Sequence, residues 1–109
     1  MSFPPRVRRL IVARSGGVCE GCGHADATEM HHRKYKSRGG KDTPSNALHL
    51  CGWGNHTGCH GAAHSDDPPQ GHSVHSWENP LHELVLYRGA LVFLLDLPPW
   101  FEAHGDPPF

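Results

Sequence analysis

The sequence has no apolar run that approaches the roughly 20 residues needed to span a bilayer. Its first residues, Met-Ser-Phe-Pro-Pro-Arg, lack the apolar stretch of a signal peptide. Hydrophobic residues make up only 37% of the 109 residues, so we expect the chain to bury a small core. We therefore predict one domain over residues 1–109, located in the cytoplasm and without a membrane partner.

Basic residues are nearly absent after residue 41. Residues 1–41 hold nine of the ten Lys and Arg and three acids, a net charge of +6. Residues 42–109 hold one basic residue, Arg88, and eight acids, a net charge of −7. The formal total of −1 therefore hides a basic part that can meet phosphate and an acidic part that would repel it.

Only four cysteines are present, and in a reducing cytoplasm they indicate a metal site rather than two disulfides. Cys19 and Cys22 supply two thiolates from one turn, and Cys51 and Cys59 supply a second, more widely spaced pair. A redox Cys-x-x-Cys pair is disfavoured because the sequence lacks the βαβ pattern of a thioredoxin-like fold. We predict a structural zinc ion bound by these four thiolates.

The hydrophobic pattern predicts an α+β fold in which a ββα unit lies between an N-terminal helix and a C-terminal hairpin. The predicted elements are a helix over 4–14, strands over 28–34 and 46–51, a helix over 59–64, and a hairpin of 83–87 with 91–96. The hairpin is interpreted as packing on the ββα unit or on a second copy of the chain. The tail, residues 98–109, is predicted to be irregular.

Histidines cluster on the predicted strands and on the second helix. His31 and His32 point to opposite faces of one strand because strand side chains alternate. His60 and His64 lie one helical turn apart and face the same side. A hairpin laid against this helix can bring His31, His60 and His64 around one metal ion, which leaves His32 beside it as a free base.

The other histidines carry weaker indications. His24 and His56 are alternative ligands for the structural zinc ion. His49, on the second strand, is interpreted as a packed or surface residue. No chemistry is assigned to the remaining four, which are His72, His75, His82 and His104.

The order of these residues resembles the HNH nuclease motif. The matching positions, within residues 14–65, are Cys19-x2-Cys22, Glu29-Met-His31-His32, Gly39-Gly40, Asn46, Cys51 and Cys59-His60-x3-His64. The resemblance is to the small, zinc-knotted form that is common in bacteriophage and prophage genomes. It implies a ββα-metal (His-Me finger) fold with a zinc knuckle, a bacterial host cell, and DNA as the substrate.

The resemblance also implies roles for individual residues. His31 and His60 would bind a catalytic divalent ion (Mn²⁺, Co²⁺, Ni²⁺, Mg²⁺ or Zn²⁺), with His64 as a further ligand. His32 matches the general base, and Asn46 matches the residue that ties the loop and orients that base. These types suit phosphodiester hydrolysis, because a neutral imidazole accepts a proton from water and an open metal site supports the phosphate.

The implied function is a metal-dependent DNA endonuclease that nicks DNA or cuts both strands. Its implied partners are DNA and phage packaging machinery such as a terminase, and a homodimer stays open. Two alternatives remain: a non-catalytic zinc module that binds nucleic acid or protein, and a metallohydrolase of small molecules. Five basic loop residues are predicted to clamp the DNA backbone rather than to be merely solvated, namely Arg33, Lys34, Lys36, Arg38 and Lys41.

Overall fold

The computed structural model describes residues 3–54 and 56–103, and it confirms the predicted α+β class. The first helix, α1 (Pro5–Ser15), has proline in its first turn and ends at Gly16, whose φ of 67° is left-handed. Val7 and Ile11 lie one turn apart and are buried. They pack with Phe3 and Ala47 in a core cluster beneath the helix.

The ββα unit follows α1 and is built from short elements. Strands β1 (Glu29–His32) and β2 (Ala47–Leu50) are antiparallel, with Leu48 opposite His31. Helix α2 (Gly58–Ala63) packs on β2. Both strands are shorter than predicted, and Asn46 lies in a 3₁₀ turn just before β2.

The C-terminal region forms a three-stranded antiparallel sheet. Its strands are β3 (Val85–Tyr87), β4 (Ala90–Leu94) and β5 (Phe101–Ala103), in that order across the sheet. The β3–β4 turn is Arg88-Gly89, and both residues have positive φ, as two-residue hairpin turns require.

The predicted hairpin is thus extended by a third strand, and the prediction of an irregular tail is wrong for Phe101–Ala103. Phe101 packs edge-on against Tyr87, with ring centroids 4.7 Å apart, which adds apolar contact to the pairing of β5 with β4. Residues 98–100 form a turn without regular secondary structure, as predicted, and residues 104–109, with His104, lie outside the described residues.

The sheet packs on the ββα unit of the same chain. Their shared core contains Leu48 and Leu50 of β2 together with Val85 and Leu94 of the sheet, all with no exposed surface. Within residues 3–54 and 56–103, neither α-helix has the length or apolar character to cross a bilayer.

A buried charge network also joins the two parts. The Glu20 side chain is fully buried and accepts hydrogen bonds from Arg14 Nε (2.6 Å), Tyr87 Oη (2.6 Å) and the backbone N–H of His49 (2.7 Å). A buried carboxylate needs several donors to offset its lost hydration. This network ties α1 to β2 and β3, and it keeps Arg14 away from solvent.

Candidate functional site

Three histidines meet where β1 faces α2. The rings of His31, His60 and His64 lie 4.9–5.2 Å apart between centroids. Each offers one ring nitrogen, and these atoms all lie within 4.8 Å of one another. The predicted grouping of the three imidazoles is therefore present in the fold, as a cluster that can hold a metal ion.

The outer nitrogen of each ring is held by a neighbour. His31 Nε2 donates to the carbonyl oxygen of His72 (2.6 Å), so His31 Nδ1 carries no proton and presents a lone pair. His60 Nδ1 donates to Glu29 Oε1 (2.6 Å). His64 Nδ1 lies 3.1 Å from the hydroxyl of Tyr35. Such outer partners fix the tautomer of histidines that bind metals.

The inner nitrogens fit a cation. The Nε2 atoms of His60 and His64 lie 3.2 Å apart. His64 Nε2 can donate to the lone pair of His60 Nε2, or, with its proton on Nδ1, it can present a second lone pair to a cation. Burial lowers the pKa of His31 to about 3, and burial also lowers the pKa of His64. Both imidazoles are therefore neutral at neutral pH, which is the form that binds a metal.

His32 points away from this cluster, as strand alternation predicts. Its ring stacks on Phe3, with centroids 4.0 Å apart and an angle of 10° between the planes. Its Nε2 lies 2.8 Å from Asp42 Oδ1. With the proton on Nε2, the Nδ1 lone pair is free to accept a proton.

Asn46 ties the loop that connects the two strands. Its Oδ1 accepts the backbone N–H of Lys34 (2.7 Å), and its Nδ2 donates to the carbonyl oxygens of Lys34 (3.1 Å) and Lys41 (2.9 Å). The side chain is 2% exposed, so these bonds do not compete with water. Asn46 thus fixes both ends of the loop that carries Asp42.

The four cysteines form a second cluster among the described residues. Their sulfur atoms lie within 4.8 Å of one another, and no disulfide joins them. Backbone N–H groups of Gly21 and Cys51 donate to Cys19 Sγ, each at 3.3 Å. Neither His24 nor His56 belongs to the cluster, so the four thiols are the candidate ligand set.

Four clustered thiols require a cation when they ionise. Burial opposes ionisation of Cys19, but backbone N–H bonds outweigh it and lower its pKa to about 7. Burial and the nearby sulfur of Cys19 raise the pKa of Cys59. One thiolate thus suppresses ionisation of the next, and a metal ion bound by all four thiolates would remove that conflict.

The region that holds both clusters matches a known protein family. Residues 19–66 match the family model of the HNH endonucleases. This region of the chain is therefore similar to the HNH endonucleases, and we call it the HNH domain. Neither the curated proteins nor the solved structures gave a match. The C-terminal sheet lies beyond the region that the family model covers.

One predicted DNA contact is wrong. Arg33 follows His32 in the HNH domain, but its side chain is fully buried. Its guanidinium donates to backbone carbonyl oxygens at 2.7–3.1 Å, those of Ser45, Gly71, Pro80 and Glu83. A phosphate cannot reach it, and its role is to hold the polypeptide around it.

The other loop cations of the HNH domain differ in whether their side chains already have a partner. Lys36 lies 3.2 Å from the Asp42 carboxylate, and Arg38 donates to the carbonyl of Val74 (3.0 Å). The side chains of Lys34 and Lys41 make no ion pair or hydrogen bond with any described residue. These two are the loop lysines best placed to meet phosphate.

The sequence left Glu29, Asp42 and Arg8 without a role. A signal for Glu29 was available, because residues two apart on a strand share a face and Glu29 therefore lies beside His31. Asp42 had no such signal, since it reaches His32 across an irregular loop. Arg8 lines a groove of about 360 Å³ together with Glu29 and His60, which opens beside the histidine cluster.

Proposed function

We propose that this protein is a metal-dependent endonuclease that hydrolyses DNA phosphodiester bonds. The observation that carries the proposal is that the two adjacent histidines of β1 have different surroundings. His31 joins the cluster with His60 and His64, while His32 stands outside it with one nitrogen held by Asp42. A metal-binding module would need the first feature but not the second.

His32 acts as the general base in this proposal. The Asp42 carboxylate accepts the Nε2–H and so keeps the lone pair on Nδ1, and Phe3 holds the ring plane by stacking. Nδ1 accepts a proton from water as the water oxygen bonds to phosphorus. The bond from phosphorus to the 3′ oxygen breaks, which gives 5′-phosphate and 3′-hydroxyl ends after that oxygen takes a proton.

His31 Nδ1 and the Nε2 atoms of His60 and His64 would hold the divalent ion. When bound, such an ion neutralises phosphate charge and stabilises the departing oxygen. The neighbours of two of these rings support this assignment. His72 and Glu29 fix the tautomers of His31 and His60, so neither ring can turn its second nitrogen toward substrate.

DNA would approach along the basic side of the ββα unit. Arg8 lines the groove beside His60, and Lys34 and Lys41 lie on the loop that carries Asp42. Contacts between cations and phosphates position a duplex without reading its sequence. We propose that the whole of residues 1–109 acts as one nuclease unit, since the sheet packs directly on the ββα unit.

A plasmid-cleavage assay tests the proposal. Purified protein is incubated with supercoiled plasmid and Mn²⁺, Co²⁺, Ni²⁺ or Mg²⁺ in turn. His32→Ala should retain zinc, fold and DNA affinity but lose about 10²- to 10⁴-fold in rate, which is the usual cost of removing a general base. The matched control is His82→Ala, an exposed histidine that should cut like the wild type.

Two outcomes would contradict the proposal in different ways. Equal cleavage by His32→Ala and wild type, at matched metal, would exclude His32 as the base. No cleavage by the wild type with any of the four ions would favour the second candidate, a non-catalytic zinc module. That candidate is supported by the cysteine cluster and the two free lysines alone.

A further inference from the structure

A cavity of about 380 Å³ lies beside the loop that Asn46 ties. Lys34, Lys41 and Asn46 form one wall. Another part of the lining belongs to the segment before β3, with Trp77 and Asn79. The cavity therefore sits between the proposed nuclease loop and a part of the chain that the family model does not cover.

Among the residues that line the cavity, Trp77 is unusual in its exposure. Its indole is 79% exposed, although such a ring normally packs in a core or at an interface. It lies flat against the imidazole of His75, with centroids 4.5 Å apart and planes 8° apart. The pair forms an exposed aromatic platform, and a flat ring of another molecule is the natural partner for it.

Charged groups of both signs line the cavity. Lys34 and Lys41 offer ammonium groups that no described side chain neutralises. The carboxylates of Glu78 and Asp96 also line the cavity, and each accepts a backbone N–H, from His75 (2.7 Å) and Ser45 (2.8 Å). These carboxylates repel a phosphate inside the cavity, but they accept hydrogen bonds from amino groups.

We propose that this cavity is a nucleobase pocket. An unpaired or extrahelical base of the DNA stacks on Trp77, its amino edge faces the carboxylates, and its flanking phosphates meet Lys34 and Lys41. This inference rests on the proposed DNA substrate and makes it more specific: DNA with an unpaired base near the cutting site binds better than fully paired DNA.

The test compares two short duplexes that differ in one nucleotide. One carries a single extrahelical 2-aminopurine, and the other carries the same label fully paired. Binding of the zinc-loaded protein is measured without added divalent ion, so that cleavage does not interfere. We expect about tenfold tighter binding of the bulged duplex and quenching of its 2-aminopurine, because stacking on an aromatic side chain is worth about 1–3 kcal/mol per base.

Three variants assign the effect to the platform. Trp77→Ala should abolish the tenfold preference and the quenching, whereas Trp77→Phe should keep most of both. Trp53→Ala is the matched control, because Trp53 is also exposed (68%) but does not line the cavity. Zinc content and the thermal midpoint of each variant should equal those of the wild type, since both indoles are at the surface.

The outcomes separate the pocket from the proposed nuclease function. Equal affinity for the two duplexes, or a preference that survives in Trp77→Ala, would overturn the pocket while leaving DNA binding intact. An equal loss of affinity for both duplexes in Trp77→Ala would also overturn it, since Trp77 would then be a general duplex contact. Failure of the wild type to bind either duplex would overturn both proposals.

Discussion

At the scale of single residues, the histidine cluster depends on the partners that hold the rings of His31 and His60 in one tautomer. His60 is the clearest case, because its Nδ1 donates to Glu29 Oε1 at 2.6 Å. That hydrogen bond also lowers the pKa of Glu29, so the group stays a carboxylate at neutral pH. A carboxylate behind an imidazole increases the basicity of the nitrogen that faces the metal.

Replacing Glu29 should therefore weaken metal binding. We expect Glu29→Ala to lose about 10- to 100-fold in affinity for Mn²⁺ or Co²⁺, and Glu29→Gln to lose less because its amide oxygen still accepts the bond. Titration calorimetry of the zinc-loaded protein measures the effect. Glu102→Ala, an exposed acid on β5, serves as control, and equal affinities in the Glu29 and Glu102 variants would refute the role of Glu29.

At the scale of elements, Arg33 connects β1 to the segment of residues 70–74. Its Nε donates to the Gly71 carbonyl (2.7 Å), and its own carbonyl accepts the N–H of Val74 (2.9 Å). The carbonyl of His72, between those two residues, accepts the proton of His31 Nε2. A residue that does not touch the cluster thus fixes the group that orients one of its rings.

Arg33→Met should destabilise the fold by about 3 kcal/mol, because four backbone carbonyl oxygens lose their donor, that of Ser45 in a fully buried bond and the others in partly buried ones. Urea unfolding measures the loss. Burial lowers the pKa of Arg33 only to about 10, so the guanidinium is charged at neutral pH and all its donors are lost together. Lys34→Met is the matched control, and its free energy of unfolding should stay within about 0.5 kcal/mol of the wild type. Similar stability of the two variants would contradict the structural role.

The sequence predicted the elements whose residues lie close together in the chain. The turn of Cys19 and Cys22, the strand alternation at His31-His32, and the helical spacing of His60 and His64 are all local patterns. The burial of Arg33 could not be predicted from a local pattern, because its hydrogen-bond partners lie 12–50 residues away in the sequence. In the sequence, a buried arginine at the end of a strand cannot be told from a solvated one.

At the scale of the whole molecule, the positive net charge of residues 1–41 is larger than the number of loop cations that are free to contact phosphate. Among the loop residues, Arg33 is buried, Lys36 faces Asp42 and Arg38 holds a backbone carbonyl. In the proposed complex with DNA, Lys34 and Lys41 are left to displace counterions. The basic total of residues 1–41 therefore overstates the number of phosphate contacts that this loop can make.

The salt dependence of DNA binding should follow these two lysines. For fully paired DNA, each of Lys34→Ala and Lys41→Ala should reduce the slope of log affinity against log salt by about 1, because one fewer counterion is released. Lys36→Ala is the control, and its slope should change less because Lys36 faces Asp42. A slope that is the same in all three variants and the wild type would mean that DNA binds elsewhere.

At the same scale, we expect the cysteine cluster to set the stability of the whole chain. It packs between β2 and the C-terminal sheet, in the same core as Leu50 and Val85, so it joins the two parts that the fold must hold together. Zinc binding at such sites is worth about 10–16 kcal/mol, while domains of this size are stable by about 5–15 kcal/mol. Loss of the ion should therefore unfold the protein.

We expect one zinc per chain that resists dialysis against a mild chelator, measured by elemental analysis. Cys22→Ser should lose both the zinc and the cooperative thermal transition. His60→Ala should keep both, because it removes a ligand of the other cluster only, and this contrast assigns the structural ion to the thiols. A metal-free protein with an unchanged thermal transition would show that the core, rather than the ion, holds the sheet on the ββα unit.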